Sequence, residues 1–318
     1  MGRYFLKFSY LGTRYRGLQK NVIRFNETIR DPDTVQGAIE DALATLIPKC
    51  SKWPKITLSS RTDVGVHALC NTAHVDLHNT HDCLYNPNDA LMYMNRYFFR
   101  CKHDVRLLEF IPVTEDFHVR YFAKSRTYVY RFMRAKDQNE HRIPISETSH
   151  AYHLRSETFD IDKLERATQL FMGIKDFRTF SAESITTKPI QYVRQLHAIT
   201  VEKGQPLMPF DPLCQNFDFW NITCKARSFL YKQVRRMVAA LINVGTGKVT
   251  ERDINIMLQV PNHRNWDPKI QIVPAHGLYL ANIEYSQEEL DKCIIEFKES
   301  PDPNYPNRIV PIYANEAQ

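Results

Sequence analysis

The stretch Ser60-Arg61-Thr62-Asp63-Val64-Gly65-Val66-His67 joins two apolar runs of the chain. Residues 56–58 precede it, and residues 71–77 follow it with the alternation that is typical of a half-buried strand. Asp63 is therefore expected at the end of a strand, where a sheet gives a loop stiff support. Gly65 would let a second backbone or a ligand approach this loop closely.

A carboxylate in such a loop can act as a nucleophile or a base, provided that a cation keeps it ionised when water is excluded. Arg61 is only two residues away, so the sequence does not identify it as that cation. An ordinary turn is the alternative interpretation, because turns favour Asp and Gly for conformational reasons. The stretch alone leaves both interpretations open.

The stretch resembles the Arg-Thr-Asp-Ala-Gly-Val-His-Ala signature of the TruA family of tRNA pseudouridine synthases, with Val64 in place of the usual alanine. Other segments resemble family motifs in family order: residues 34–36, 117–120, 125–130, 229–236 and 274–280. The resemblance runs from Tyr4 to about Tyr285. Within the family the chain resembles the eukaryotic pseudouridine synthase-like 1 branch, in which Ser-Arg-Thr-Asp replaces the bacterial Gly-Arg-Thr-Asp.

The resemblance implies an α+β fold in which two related α+β units join through a central antiparallel sheet with flanking helices. It places the Asp63 loop in a cleft between the units. The similar order of predicted elements in both halves of the chain favours this arrangement. We expect an N-terminal unit over residues 1–112, a C-terminal unit over 113–298 and a mobile tail over 299–318.

Hydrophobic periodicity predicts the individual elements. Strands are predicted over residues 4–10, 56–58, 71–77, 105–110, 125–133, 195–201, 217–226 and 278–283. Three helices are predicted over residues 88–98, 161–172 and 229–244. Two more are predicted from capping boxes: one that follows Asp33 and Gln36, and one that starts at Ser286 and Glu289 and ends near Lys298.

Composition is ordinary for a globular protein, with 43% hydrophobic and 25% charged residues among 318. The seven cysteines are scattered and form no Cys-x-x-Cys pair, which indicates reduced thiols in an intracellular protein. His78, His81 and Cys83 lie close together but lack a fourth ligand at zinc spacing, so we predict a polar loop and no metal site.

No stretch approaches the roughly 20 apolar residues of a membrane span, and the first predicted strand leaves no room for a signal peptide. We therefore expect a soluble protein without a membrane partner. The branch resemblance favours a mitochondrial location, while the cytoplasm and nucleus stay open. A net charge of +6 permits nucleic-acid binding without requiring it.

Two further residues are candidates for the catalytic site. Helical periodicity places Arg235 at the edge of the buried stripe of residues 229–244, where a guanidinium can form a bidentate pair with a carboxylate. Taken from the helix alone, Arg235 is equally a surface arginine. Tyr128 shares a strand face with Tyr130 and Phe132, which otherwise indicates an aromatic core. The resemblance makes Arg235 the partner of Asp63, and Tyr128 the residue that stacks on the target uracil.

The reaction that the resemblance implies is the isomerisation of uridine to pseudouridine in tRNA by a homodimer, with no cofactor or metal. Asp63 would attack ribose C1′ or pyrimidine C6, or act as a base that starts an elimination, and Tyr128 would assist the final proton transfer. Expected substrate contacts, each of which could instead be ordinary solvated charge, are Arg14, Arg16, Arg61, His67, Arg120, Arg126, Lys232 and Arg236.

Two other functions compete with this interpretation. A catalytically silent tRNA-binding protein could keep the same fold, although binding alone requires no buried carboxylate. A hydrolase could use Asp63 with His67 as an acid and base pair. No second carboxylate, metal set or Gly-rich phosphate loop accompanies that pair in the sequence, so we rank the hydrolase lower.

Overall fold

The computed structural model describes residues 1–20, 31–46, 53–78, 84–183 and 189–297. Its fold is α+β, with a large, mostly antiparallel sheet and flanking helices, which confirms the predicted class. Contacts divide the chain into two compact units, one formed by Met1–Lys124 with the chain from Asn282 onward and the other by Ser125–Ala281. The predicted mobile tail, His81 and Cys83 lie outside the described residues.

The strands are β1 (Gly2–Tyr10), β2 (Thr57–Leu58), β3 (His67–Leu77), β4 (Val105–Val113), β5 (Ala123–Ala135), β6 (Tyr152–Leu154), β7 (Gly173–Asp176), β8 (Val193–Lys203), β9 (Phe217–Ala226) and β10 (Leu278–Tyr285). The helices are α1 (Val35–Leu46), α2 (Pro87–Arg100), α3 (Ile161–Thr168), α4 (Gln233–Gly245), α5 (Glu251–Gln259) and α6 (Gln287–Asp291). None of the helices in the described ranges has the length and apolar character to cross a bilayer.

In the first unit, β1 pairs antiparallel with β3 on one side and with β4 on the other, and β2 pairs with β3. Phe5 of β1 is fully buried and packs against Phe117 and Tyr285, with ring centroids 5.0 and 5.2 Å away. Because Tyr285 ends β10, this apolar cluster explains why the late part of the chain belongs to the first unit.

In the second unit, β9 pairs antiparallel with both β5 and β8, β7 adds to β8, and β6 pairs parallel with β5. The predicted strand face is correct, because Tyr130 and Phe132 are fully buried and Tyr128 nearly so. In the middle of α4, Met237, Val238 and Leu241 are fully buried, as their helical spacing predicts.

Helix ends differ from the predictions at both capping boxes. Thr34, not Asp33, caps α1, since its Oγ1 accepts a hydrogen bond from the Gly37 N–H at 3.1 Å. Ser286 makes no side-chain cap on α6, and Glu289 instead forms a 2.7 Å salt bridge with Lys124. Helix α6 ends at Asp291, although the sequence predicted a helix that continues to about Lys298.

Candidate active site

Asp63 lies in the loop between β2 and β3, as the sequence predicts, and is partly exposed. Its carbonyl accepts a hydrogen bond from the Val66 N–H at 3.2 Å, which closes a turn. Gly65 within this turn has φ of 78°, a conformation that favours glycine. A Cβ on Gly12 would overlap the Val66 carbonyl oxygen, so the loop also needs a glycine on the neighbouring segment.

Side chains fasten the Asp63 loop to the sheet of the first unit. The Tyr10 hydroxyl and Thr62 Oγ1 are hydrogen bonded at 2.7 Å. Asn71 Nδ2 donates to the Ser60 carbonyl and to the Tyr10 hydroxyl, each at 3.3 Å. These contacts run from the loop to β1 and β3, so the backbone that carries Asp63 is held from both sides.

His67, an expected substrate contact, lies inside the fold, and its contact with a substrate stays a prediction. Its side chain is buried, with 0% exposure, and its Nδ1 accepts a hydrogen bond from the Gly12 N–H at 3.1 Å. The imidazole therefore joins the start of β3 to the segment that follows β1, next to the Asp63 loop.

Three expected phosphate contacts of the first unit are exposed arginines. Arg14 donates to the Lys102 carbonyl and lies 3.7 Å from Asp104, and Arg16 pairs with Asp31 at 2.7 Å. Arg61 is exposed in the Asp63 loop. Exposed ion pairs contribute only about 0–1 kcal/mol, so a phosphate can replace such a carboxylate at little cost. Contact of these arginines with RNA stays a prediction.

Arg120 follows a buried segment that fixes its place on the surface. Nδ1 of His74, on β3, accepts a hydrogen bond from the Val119 N–H at 3.2 Å. The Tyr285 hydroxyl donates a hydrogen bond to the Val119 carbonyl at 2.9 Å. Burial, followed by the charges of Arg3 and His118, lowers the pKa of His74 to about 4. A neutral His74 can therefore keep accepting this hydrogen bond at physiological pH, while Arg120 itself is exposed.

Tyr128 lies on β5 opposite Cys224 of β9 and is 7% exposed. The Phe229 ring stands edge-on to it, with centroids 5.3 Å apart and an interplanar angle of 90°. Phe229 belongs to the motif of residues 229–236 but was assigned no role from the sequence, although its place four residues before an arginine-bearing helix could have suggested one. Arg126 is buried and its Nη1 donates to the Arg227 carbonyl at 2.5 Å, so part of its guanidinium is used within the fold. A contact between Arg126 and a phosphate stays a prediction.

Arg235 lies in the first turn of α4 and is partly buried. Its Nε donates to the Val273 carbonyl at 2.9 Å, which fixes the plane of the guanidinium. A fixed plane suits the two parallel hydrogen bonds that arginine makes with a carboxylate. Asp63 and Arg235 belong to different units, and their pairing stays a prediction.

Arg236, another expected substrate contact, is held by groups of the second unit. Its Nη1 donates to the carbonyls of Thr179 and Ser181, both at 2.8 Å, and its guanidinium stacks over Trp266 at 4.8 Å. Burial lowers the pKa of Arg236 from its usual value. The helical angle of Arg236 predicts the side of α4 on which it lies. It does not predict that Thr179, Ser181 and Trp266 cover that side.

Lys232 precedes α4, because the helix begins four residues later than predicted. Lys232 has φ of 60°, and Gln233 Oε1 accepts a hydrogen bond from the Leu230 N–H at 2.8 Å just before the helix. The Lys232 ammonium lies 5.1 Å from the Tyr231 ring centroid and is partly exposed. A contact between Lys232 and RNA stays a prediction.

Replacing Arg236 by methionine is expected to destabilise the protein by about 2–4 kcal/mol, because two buried carbonyls lose a charged donor and Trp266 loses its cation. Denaturant unfolding of the variant measures this loss. Arg252→Met on the exposed side of α5 is the matched control and should leave stability unchanged. Unaltered stability of Arg236→Met together with weaker RNA binding would favour the predicted substrate contact over this structural role.

The described ranges contain no group of three His, Cys, Asp or Glu side chains arranged to hold a metal ion. A reaction without metal or cofactor stays a prediction.

Comparison with known proteins gives a family model and full-length relatives. A family model described as tRNA pseudouridine synthase matches residues 167–286. The chain is 32% identical to tRNA pseudouridine synthase-like 1 of Xenopus laevis over 91% of this chain and 93% of that protein. The human protein of the same name is 32% identical over 92% of this chain. The tRNA pseudouridine synthase A of Bacillus sp. strain KSM-64 is 30% identical over 90% of this chain and all of its own length.

Proposed function

Since the chain belongs to the TruA family of tRNA pseudouridine synthases, we propose that it isomerises uridine to pseudouridine in tRNA. The observation that carries this proposal is similarity to enzymes of that name over nine-tenths of the chain. The Asp63 loop supports it, because its fastened backbone and partly exposed carboxylate suit a group that meets a substrate.

The proposed reaction conserves every atom of the nucleoside. The bond between N1 and C1′ breaks, the uracil turns, and C5 bonds to C1′; C5 then loses a proton and N1 gains one. No oxidant, reductant or added group is needed, which suits a site built from side chains alone. Asp63 would attack C1′ or C6, or remove a proton to start an elimination, and all three routes begin with an ionised carboxylate.

Arg235 and Tyr128 are the proposed partners of Asp63 in this chemistry. Only 7% of Tyr128 is exposed, so a uracil stacked on its ring would be largely removed from water. A carboxylate beside that base would gain a proton unless a cation stabilised its charge. The guanidinium of Arg235, with its plane fixed by Val273, is suited to that task.

The active protein is proposed to be a homodimer in mitochondria, as the family and branch resemblance suggest. Sedimentation of a stable, fully active monomer near 37.4 kDa would refute the dimer. Fractionation of cells that carry an epitope-tagged chain would test the compartment.

Activity on a prefolded tRNA is expected to survive exhaustive chelation, because the proposed chemistry uses carboxylate, guanidinium and phenol groups only. Turnover is measured with and without excess EDTA, with circular dichroism of the tRNA as the control for its folding. Loss of turnover on tRNA that remains folded would show that a metal takes part.

Mapping pseudouridine in cellular and organellar tRNA, with and without this protein, tests the proposed function and identifies the position. Loss of pseudouridine at a defined uridine, restored by the wild-type chain, is the expected result. Binding of the same tRNA without conversion would favour the catalytically silent alternative, and release of free uracil would favour a hydrolase.

A further inference from the structure

Helix α2 of the first unit has an outward face that combines apolar and basic side chains. Its inner side, formed by Ala90, Met94 and Phe98, is fully buried. The outward side chains recur at helical spacing and are all exposed: Met92 (47%), Tyr93 (52%), Arg96, Phe99 (75%) and Arg100. We call these five residues the α2 outer face.

The α2 outer face is held in one orientation by the rest of the unit. Asn95 Nδ2 donates to the Leu107 carbonyl at 2.9 Å, and Asn95 Oδ1 accepts the Leu107 N–H at 2.9 Å. This reciprocal pair fixes the rotation of α2 against β4. The exposed rings are therefore presented in a defined geometry, so binding a partner costs little ordering of the helix.

Between Asp89 and Asp104 the chain carries only positive charge. Residues 90–103 contain Arg96, Arg100 and Lys102 and no Asp or Glu. Within the described ranges these three side chains take part in no salt bridge. The Arg96 guanidinium lies over the Tyr93 ring at 6.0 Å, and Arg14 reaches the Lys102 carbonyl. Four cations and two exposed aromatic rings thus lie along one helix and its C-terminal end.

We propose that the α2 outer face, together with Lys102 and Arg14, is an RNA-docking surface that holds a part of the tRNA other than the target uridine. This inference rests on the proposed function. Phosphates complement Arg96, Arg100 and Lys102, and a phosphate can replace Asp104 in its exposed pair with Arg14. Bases can stack on Tyr93 and Phe99, and this combination of cations and rings is the one that proteins use for nucleic-acid strands. A second copy of the chain is disfavoured, because a two-fold contact through this face would bring Arg96 and Arg100 against like charges.

The double variant Arg96→Gln with Arg100→Gln tests the electrostatic part. The slope of log affinity for tRNA against log salt should decrease by roughly 1.4–1.8, since each lost phosphate contact contributes about 0.7–0.9. KM for tRNA should rise about tenfold at low salt while kcat stays unchanged. Arg252→Gln on α5, where Glu251 and Asp253 flank the arginine, is the matched control and should change neither quantity.

Phe99→Ser tests the stacking part and should weaken tRNA binding about five- to tenfold with an unchanged salt slope. Thermal unfolding of each variant should match that of the wild type, because all the substituted side chains are exposed. Unchanged tRNA affinity and salt slope in the double variant, equal losses in Arg252→Gln, or altered sedimentation with unaltered tRNA binding would each overturn the proposal.

The binding measurement stands apart from the proposed activity. A wild-type chain that binds tRNA but forms no pseudouridine would refute the proposed function, and the double variant would still report on the α2 outer face. Conversely, a wild-type chain that forms pseudouridine while the double variant binds normally would refute only the docking surface.

Discussion

Replacing Asp63 by asparagine is expected to abolish pseudouridine formation while tRNA affinity stays within about twofold of the wild type. Asparagine has nearly the shape of aspartate but is neither nucleophilic nor basic, and removal of a nucleophile typically costs on the order of 10⁴- to 10⁶-fold in turnover. The loop should keep its shape, because its fastening contacts come from Tyr10, Thr62 and Asn71.

Single-turnover assays with enzyme in excess over tRNA measure this effect without interference from product release. Asp116→Asn is the matched control, since Asp116 is an exposed carboxylate of the same unit and should be dispensable. Equal activity of Asp63→Asn and the wild type would remove Asp63 from the mechanism.

Arg235→Met should give a folded protein whose turnover at pH 7 falls on the order of 10²-fold, which corresponds to about 3 kcal/mol of lost transition-state stabilisation. The acid limb of its pH–rate profile should shift to higher pH by about one to two units, because Asp63 without a cation ionises only at higher pH. Methionine keeps much of the apolar stem, but the Val273 carbonyl loses a donor, which costs about 1–3 kcal/mol of stability.

Two companion variants separate these effects. Arg235→Lys keeps a cation but loses the planar fork, so it should restore part of the pH profile and only part of the turnover. Lys232→Met removes a neighbouring cation and should leave the pH profile unchanged. Normal turnover and pH dependence in Arg235→Met would show that another group keeps Asp63 ionised.

Strand positions could be predicted well because alternation of apolar residues is a local property. The alternation over residues 217–226 predicts β9 with the bounds that it has, and residues 4–10 fall within β1. The motif around Asp63 likewise predicts a loop after a short strand, and the turn closed by Val66 confirms this.

Helix ends could be predicted less well, because capping depends on which nearby groups compete for the same partners. Asp33 lies 3.7 Å from Arg16 and leaves the cap of α1 to Thr34. Helix α5 was absent from the prediction, although Thr250 and Asp253 form the capping box that opens it.

Burial of single polar residues could not be predicted from periodicity. His67 and Arg126 occur within family motifs and suggested substrate contacts, yet neighbouring backbone groups use their polar atoms inside the fold. Arg236 is covered by a segment around Trp266 that is distant in sequence. Such contacts depend on tertiary structure, and a helical angle contains no information about it.

Release of tritium from tRNA that carries [5-³H]uridine, with nucleoside analysis of the same RNA, tests the central claim most directly. Formation of the C5 to C1′ bond expels the C5 proton, so tritium release should equal pseudouridine formation, mole for mole, without free uracil. It should disappear in Asp63→Asn. Free uracil in place of pseudouridine, or no release when enzyme exceeds tRNA, would contradict the account.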